Sequence, residues 1–248
     1  MNLSGISKKT ALGKFLRFFL RVLPRGTRVP ILQGKLRGKR WIIGSGENGC
    51  WLGSYEYAKQ LLFSQTIRQG DVVFDVGANV GIYTLLSSVL VGERGSVFSF
   101  EPDPRNLFYL KEHVRINSMK NVTVVEAAVT DSSGAARFQR NLGSPATGHL
   151  SPVGDVNVKT ISLDGFVFEQ GFPGPNCIKI DVEGAEELVL RGAGNILRKY
   201  HPVLFVAFHS THLRDTCCEF LRSLRYHCEP VGGGSFEESY ETFARYEA

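Results

Sequence analysis

Three side chains suit proton transfer by type and place. Asp181 and Glu183 stand in Lys179-Ile180-Asp181-Val182-Glu183-Gly184-Ala185-Glu186, directly after a short apolar run, and His209 closes another such run, VLFVAFHS over 203–210. An alcohol is a poor nucleophile at neutral pH, so a carboxylate or imidazole that takes its proton as a bond forms assists attack. Any of the three can be that base. Plainer roles stay open: Glu183, like Glu186 and Glu187, suits the positive end of a helix, and His209 could be a hydrogen-bonded turn residue. His212 and His149 are further candidates, better read as surface residues. Asp181 with Glu183 or His209 could hold a divalent cation that lowers an alcohol's pKa. Neither a helical HxxxH nor a two-His-one-carboxylate pattern is clearly present, so no metal site is expected.

A second group reads as a ligand cradle. Asp75-Val76-Gly77-Ala78-Asn79-Val80-Gly81 follows an apolar run and precedes a helical pattern. Glycine there lets backbone approach a ligand, and a helix start offers free N–H groups. The dinucleotide spacing GxGxxG fails, because Asn79 and Ile82 occupy its later glycine positions, and no GK[ST] makes a phosphate loop. Glu101 ends the next strand, where a carboxylate can accept both hydroxyls of a ribose, and Pro102 turns the chain away. A ribose without phosphate points to S-adenosylmethionine, which carries an ammonium, a sulfonium and a carboxylate. Asp75 would anchor the loop or attract the ammonium. The amides of 77–81, Ala78 among them, would receive the carboxylate. Glu126 and Ala127, after the third strand, would face the adenine unless they form a plain surface turn.

These residues need a scaffold that gathers strand ends. Short apolar runs at Val72–Val76, Val97–Phe100, Val122–Val125, Cys177–Ile180 and Val203–Phe208 alternate with helical patterns at Ile82–Val91, Asn106–Ile116, Ala185–Leu197 and His212–Leu224. Strands without apolar–polar alternation, separated by helices, predict a mostly parallel sheet with helices on both faces. Ligands in such sheets sit at the carboxyl ends of the strands, beside a topological switch point. Before the first of these strands, Arg40–Ile43 reads as a short strand and Tyr55–Phe63 as a helix. Residues 131–176 break the rhythm and read as an insertion, with strand-like pieces at Ala136–Arg140 and Val158–Leu163. Tyr226–Val231 and Tyr240–Tyr246 read as a terminal strand pair. Residues 44–57 and 141–156 would shape acceptor choice, the latter as a lid, with Trp51, Tyr55 and Tyr57 stacking on a sugar or simply packing.

The chain has 248 residues, 43% apolar and 21% charged, which excludes wholesale disorder and a disulfide-stapled mini-protein. Its net charge of +5 is uneven: residues 1–40 hold eleven of the 29 Lys and Arg and none of the 24 Asp and Glu. A basic arm over 1–40 and an acidic body over 41–248 result, which argues against nucleic acid as partner of the body. Leu12, Phe15, Leu16, Phe19, Val22 and Leu23 fall on one helical stripe and Lys14, Arg17 and Arg21 on another. This basic amphipathic arm reads as a helix docked on the body, an interfacial helix on anionic membrane, or an organellar presequence. Five cysteines without a CxxC pair fit a reducing, cytoplasmic setting, peripheral to membrane if the arm binds lipid.

VVFDVGANVGIYT (72–84), FSFEPDP (98–104), SLDGF (162–166) and CIKIDVEGAEELVLRGA (177–193) resemble the FkbM family of class I methyltransferases over about 51–209. The resemblance implies a Rossmann-like α/β fold, S-adenosylmethionine as donor, and hydroxyl acceptors on sugars, lipids or other small molecules. Asp75, Gly77, Asn79, Gly81 and Glu101 match its donor motif. One departure is the stretch before His209, where the family often carries a glutamate and this chain is apolar.

Overall fold

In a computed structural model of the chain, residues 23–141, 148–236 and 239–247 are described; the amphipathic segment 12–22 and the centre of the expected lid, 142–147, lie outside them. The order is β1 (Arg28–Pro30), β2 (Arg40–Ile42), α1 (Asn48–Leu52), α2 (Tyr57–Thr66), β3 (Val72–Val76), α3 (Ile82–Val91), β4 (Ser96–Phe100), α4 (Pro104–Ile116), β5 (Val122–Val125) and β6 (Ala128–Val129). There follow β7 (Gly134–Gln139), β8 (His149–Leu150), β9 (Val156–Ile161), a π-helical turn (Gly165–Glu169), β10 (Cys177–Ile180), α5 (Glu186–Arg191), α6 (Gly194–Tyr200), β11 (Val203–Ala207), α7 (Thr211–Ser223), β12 (Tyr226–Pro230) and β13 (Glu241–Tyr246).

The central sheet runs β12-β13-β11-β10-β3-β4-β5. Strands β11, β10, β3, β4 and β5 are parallel, and β13 is inserted antiparallel between β12 and β11. From β3 the chain builds outward through β4 and β5, then returns to place β10 on the other side of β3. The switch point therefore lies between the loops after β3 and β10, where a crevice must open. Successive side chains of the strands enter cores on opposite faces. Phe74 and Val76 join Phe98, Phe100, Ile178 and Ile180 on one face, while Val73 joins Leu85, Leu86, Val97 and Phe205 on the other. Burial on both faces accounts for the unbroken apolar runs.

Residues 131–176 carry most of a second sheet, β6-β9-β7-β8. The π-helical turn drives Phe166 into an aromatic cluster, with ring centroids 5.1 Å from Phe100, 5.4 Å from Phe98 and 4.1 Å from Phe172.

Two expectations need correction. The helix expected over Ala185–Leu197 is two helices, broken at Gly192. A side chain at Gly192 would lie 2.2 Å from the Thr130 carbonyl oxygen. Its own carbonyl accepts the Asp164 N–H at 2.8 Å, and the Asp164 carboxylate accepts the Asn195 and Ile196 N–H groups, both at 2.9 Å, starting α6 afresh. The aspartate of SLDGF is thus a helix-starting residue.

The arm's boundary at residue 40 also moves. β1 pairs antiparallel with β2, and Ile31, Leu36 and Trp41 are buried against the body. His113 fastens this hairpin. Its ring stacks on Trp41 at 3.9 Å, its Nε2 accepts the Ile42 N–H at 3.1 Å, and its Nδ1 lies 2.7 Å from the Val80 carbonyl. Accepting at Nε2 requires the neutral Nδ1–H tautomer, and burial pushes the pKa of His113 down to about 4.

Candidate active site

The bend after β3 is built from residues that tolerate left-handed backbone: Gly77 at φ +72°, Asn79 at +50° and Gly81 at +96°. Glycine is compulsory at 77, since a Cβ there would lie 1.8 Å from the Asp181 carbonyl oxygen. That close approach brings the β3 and β10 loops together. Beneath them Lys179 donates to the Gly77 carbonyl at 2.8 Å and sits 3.4 Å from Asp75 and 3.7 Å from Asp181. Burial works against the Lys179 ammonium, but Asp75, Asp181 and Glu56 hold its pKa above the ordinary value.

Several donor-site expectations change in detail. Asp75 is fully buried under the bend, accepting from the Thr84 hydroxyl at 2.6 Å; it anchors the loop and does not line the cleft. The bend's amides are already used. Gly77 and Ala78 donate to the Phe100 carbonyl, Asn79 to Glu101, Val80 to the Asn79 side chain and Gly81 to the Ala78 carbonyl. They cannot receive a ligand carboxylate without giving up those bonds. Ala78 and Gly81 shape the bend from behind the cleft wall, Gly81 lying close to Leu110. Glu126 is on the surface, paired with Lys111 at 2.7 Å, while its neighbour Ala127 does line the cleft.

Glu101 and Pro102 line the cleft. Glu101 accepts the Asn79 N–H at 2.7 Å on one oxygen; on the other it accepts the Asp103 N–H at 2.9 Å and the Asn106 amide at 3.4 Å. Burial pushes its carboxyl up to about 7, against the pull of those donors. The cleft is narrow, about 50 Å³ in volume. Its wall is apolar along Phe100, Ala127, Ala128, Val129 and Val182 and acidic at Glu101, Asp181 and Glu183. No Lys, Arg or His is among the described lining residues. A phosphate would find no counter-charge there; a nucleoside with a cationic centre would.

Asp181 and Glu183 also line a second, more open cavity with Tyr55, Glu56, His209, Tyr240 and Glu241. The two spaces share a carboxylate wall. All three proton-transfer candidates converge here: His209 Nε2 lies 3.2 Å from Glu183 and 3.7 Å from Asp181. One ligand atom from each falls within 4.8 Å of the others. No sequence spacing announces His209 beside the two carboxylates, because it follows β11 while they share the loop after β10. On the far side of the ring, Nδ1 bonds the fully buried Glu186 at 2.7 Å. Glu186 therefore does more than complement a helix end, and it supplies the acidic partner missing from the strand before His209. Hydrogen bonds that His209 donates to Glu183 and Glu186 raise its pKa to about 10, so the ring is cationic at neutral pH. Burial opposes charge on Asp181, but Lys179, Lys59 and His209 hold its carboxyl below the usual range.

Other residues were invisible in the sequence. Lys59, buried in α2, meets Glu241 at 2.6 Å and Glu56 at 3.3 Å, and Tyr83 donates to Glu56 at 2.8 Å. Of the three aromatic candidates only Tyr55 lines the open cavity; Trp51 is core and Tyr57 is exposed. His149 and His212 are exposed and line neither space.

Comparison with known proteins agrees with this arrangement. The chain is 32% identical over 144 residues to the hexuronic acid methyltransferase AglP of Haloferax volcanii, covering 58% of each chain. It is 26% identical over 147 residues to the 2-O-methyltransferase NoeI of Sinorhizobium fredii, covering 52% of this chain and 59% of that one. The chain thus spans under two thirds of the length of these curated relatives. Among solved structures, the FkbM methyltransferase of Methylobacillus flagellatus superposes with a TM-score of 0.55 at 16% identity, over 81% of this chain and 56% of that one. The methyltransferase FkbM domain matches residues 75–230, more than half of the chain, and the chain belongs to the FkbM methyltransferase family.

Proposed function

We propose that this protein is an S-adenosylmethionine-dependent O-methyltransferase whose acceptor is a hydroxyl on a sugar, a lipid-linked glycan or another small molecule. The observation that carries the proposal is the shared wall: an acidic, phosphate-excluding cleft and an open cavity meet at Asp181 and Glu183. The names of the curated relatives, which include a hexuronic acid methyltransferase and a 2-O-methyltransferase, support a sugar hydroxyl.

The described residues fit the donor. Glu101 keeps lone-pair capacity for ribose hydroxyls, and the apolar wall suits adenine. When bound, S-adenosylmethionine supplies a methyl carbon open to in-line displacement. The protein's own work is to hold the two reactants across the shared wall, since positioning alone supplies much of the acceleration of a bimolecular step. Asp181, ionised at neutral pH, or Glu183 accepts the acceptor's hydroxyl proton as oxygen attacks carbon. His209, cationic at that pH, orients these carboxylates and does not serve as the base. Isotopically labelled donor incubated with glycan and small-molecule pools tests this. A labelled methyl on an acceptor oxygen is expected; label on a nitrogen, a carbon or a nucleic acid would overturn it.

Peripheral membrane contact through the basic arm is proposed on the sequence of residues 12–23 alone. Flotation with anionic liposomes, with and without residues 1–25, tests it: binding should require the arm.

A further inference from the structure

We infer that Asp181, Glu183 and His209 form a divalent-cation site, of the Mn²⁺ class, at the mouth of the open cavity. The placement of its ligands supports it. A cation about 2.1 Å from each ligand, at angles of 90–110°, separates neighbouring ligand atoms by roughly 3.0–3.4 Å. His209 Nε2 is 3.2 Å from Glu183 and 3.7 Å from Asp181, and all three ligand atoms lie within 4.8 Å of one another, so the trio need only draw together around an ion.

The two sides of the imidazole differ. At Nδ1 the bond to Glu186 is 2.7 Å, the length of a charge-assisted hydrogen bond. At Nε2 the two carboxylates both stand farther off, at 3.2 and 3.7 Å. Glu186 stands outside the ligand trio but bonds its histidine. It is fully buried at the back of the ring, and its second oxygen has no hydrogen-bond partner. An ion binding at Nε2 would displace that nitrogen's proton to solvent, and a buried carboxylate behind the ring then holds the Nδ1–H tautomer and raises ligand basicity.

Charge points the same way. The buried ammoniums of Lys59 and Lys179 lie against Glu241, Glu56 and Asp75, and Lys179 stands 3.7 Å from Asp181 as well. The carboxylates of Glu183 and Glu186 remain around one imidazole. One nitrogen and two carboxylate oxygens suit Mn²⁺ or a neighbouring first-row ion better than Mg²⁺, which prefers oxygen alone. Resting on the methyl-transfer reading, the cation would meet the acceptor's hydroxyl and lower its pKa.

The test is Mn²⁺ alone, titrated into the chelator-treated full chain at pH 7.5 and followed by the electron paramagnetic resonance signal of free Mn²⁺. One Mn²⁺ per chain is expected. Glu183→Gln and His209→Ala should each weaken it at least tenfold, and Glu186→Gln roughly 10–100-fold. S-adenosylhomocysteine binding, measured by calorimetry on the same samples, reports that each variant is folded. No Mn²⁺ binding at millimolar concentration, or binding unchanged in all three variants, overturns the site while donor binding persists. Failure of wild-type protein to bind S-adenosylhomocysteine would instead strike the donor reading.

Discussion

Replacing Glu101 separates the carboxylate's two roles. It holds the N–H groups of Asn79 and Asp103, and it offers its remaining capacity to the donor's ribose. In Glu101→Ala both buried N–H groups lose their partner, at about 1–3 kcal/mol each. A loss of roughly 2–6 kcal/mol is a large part of an ordinary domain's stability of about 5–15 kcal/mol. Glu101→Gln is the sharper probe, because its amide oxygen still serves one N–H. Its stability should fall by about 1–3 kcal/mol in urea denaturation, and its affinity for S-adenosylhomocysteine by a further 1–3 kcal/mol or so, roughly 5–150-fold. The wild type adds a pH signature. A carboxyl raised by burial to about 7 accepts hydroxyls best when ionised, so affinity is full above that pH and weakens as pH falls through it. Glu101→Gln should lack that dependence. A folded Glu101→Gln that binds as tightly as wild type, with the same pH profile, would refute the ribose role.

Asp181→Asn should leave donor affinity within about threefold and lower turnover at least 100-fold, as expected of a lost general base; a collapse of donor affinity would make Asp181 part of the donor site. Gly77→Ala adds left-handed strain to a collision with the Asp181 carbonyl, and urea denaturation should show a loss upward of about 3 kcal/mol. His113, with its pKa depressed to about 4 against 6.5, contributes stability that is full above pH 6.5 and gone by about pH 4. That is on the order of 3 kcal/mol, and denaturation at pH 7.5 and pH 4.5 should show a smaller difference in His113→Phe.

The parallel sheet was legible because its strands are buried on both faces, so their composition alone marks them. Val72–Val76, Ile82–Val91, Val122–Val125 and Cys177–Ile180 have the bounds expected. Periodicity misled at Gly192, where the apolar stripe continues but backbone crowding by Thr130 and the Asp164 carboxylate restart the helix. Residues 28–40 looked like an arm because charge dominates their composition; Ile31, Leu36 and the His113 contacts tie them to the body. At the site, Asp181, Glu183, His209 and Glu101 could be found because each follows a strand. Glu186 and Lys59 could not. Each is a charged helical residue in sequence, and only the tertiary fold buries it against His209 or Glu241. Glu126 was misplaced because position after a strand does not say which face a side chain takes, and of the two roles open to Asp75 the fold shows the anchoring one.

Calorimetric titration of S-adenosylmethionine and S-adenosylhomocysteine into the wild-type protein at pH 8 tests the central claim most directly. The cleft between the Asn79 bend and Glu101 should bind one molecule of either per chain and leave NAD⁺ and ATP unbound, because no described lining residue offers a counter-charge to phosphate. Tight binding of NAD⁺ or ATP, or no heat with either sulfur nucleoside at saturating concentration, would contradict it.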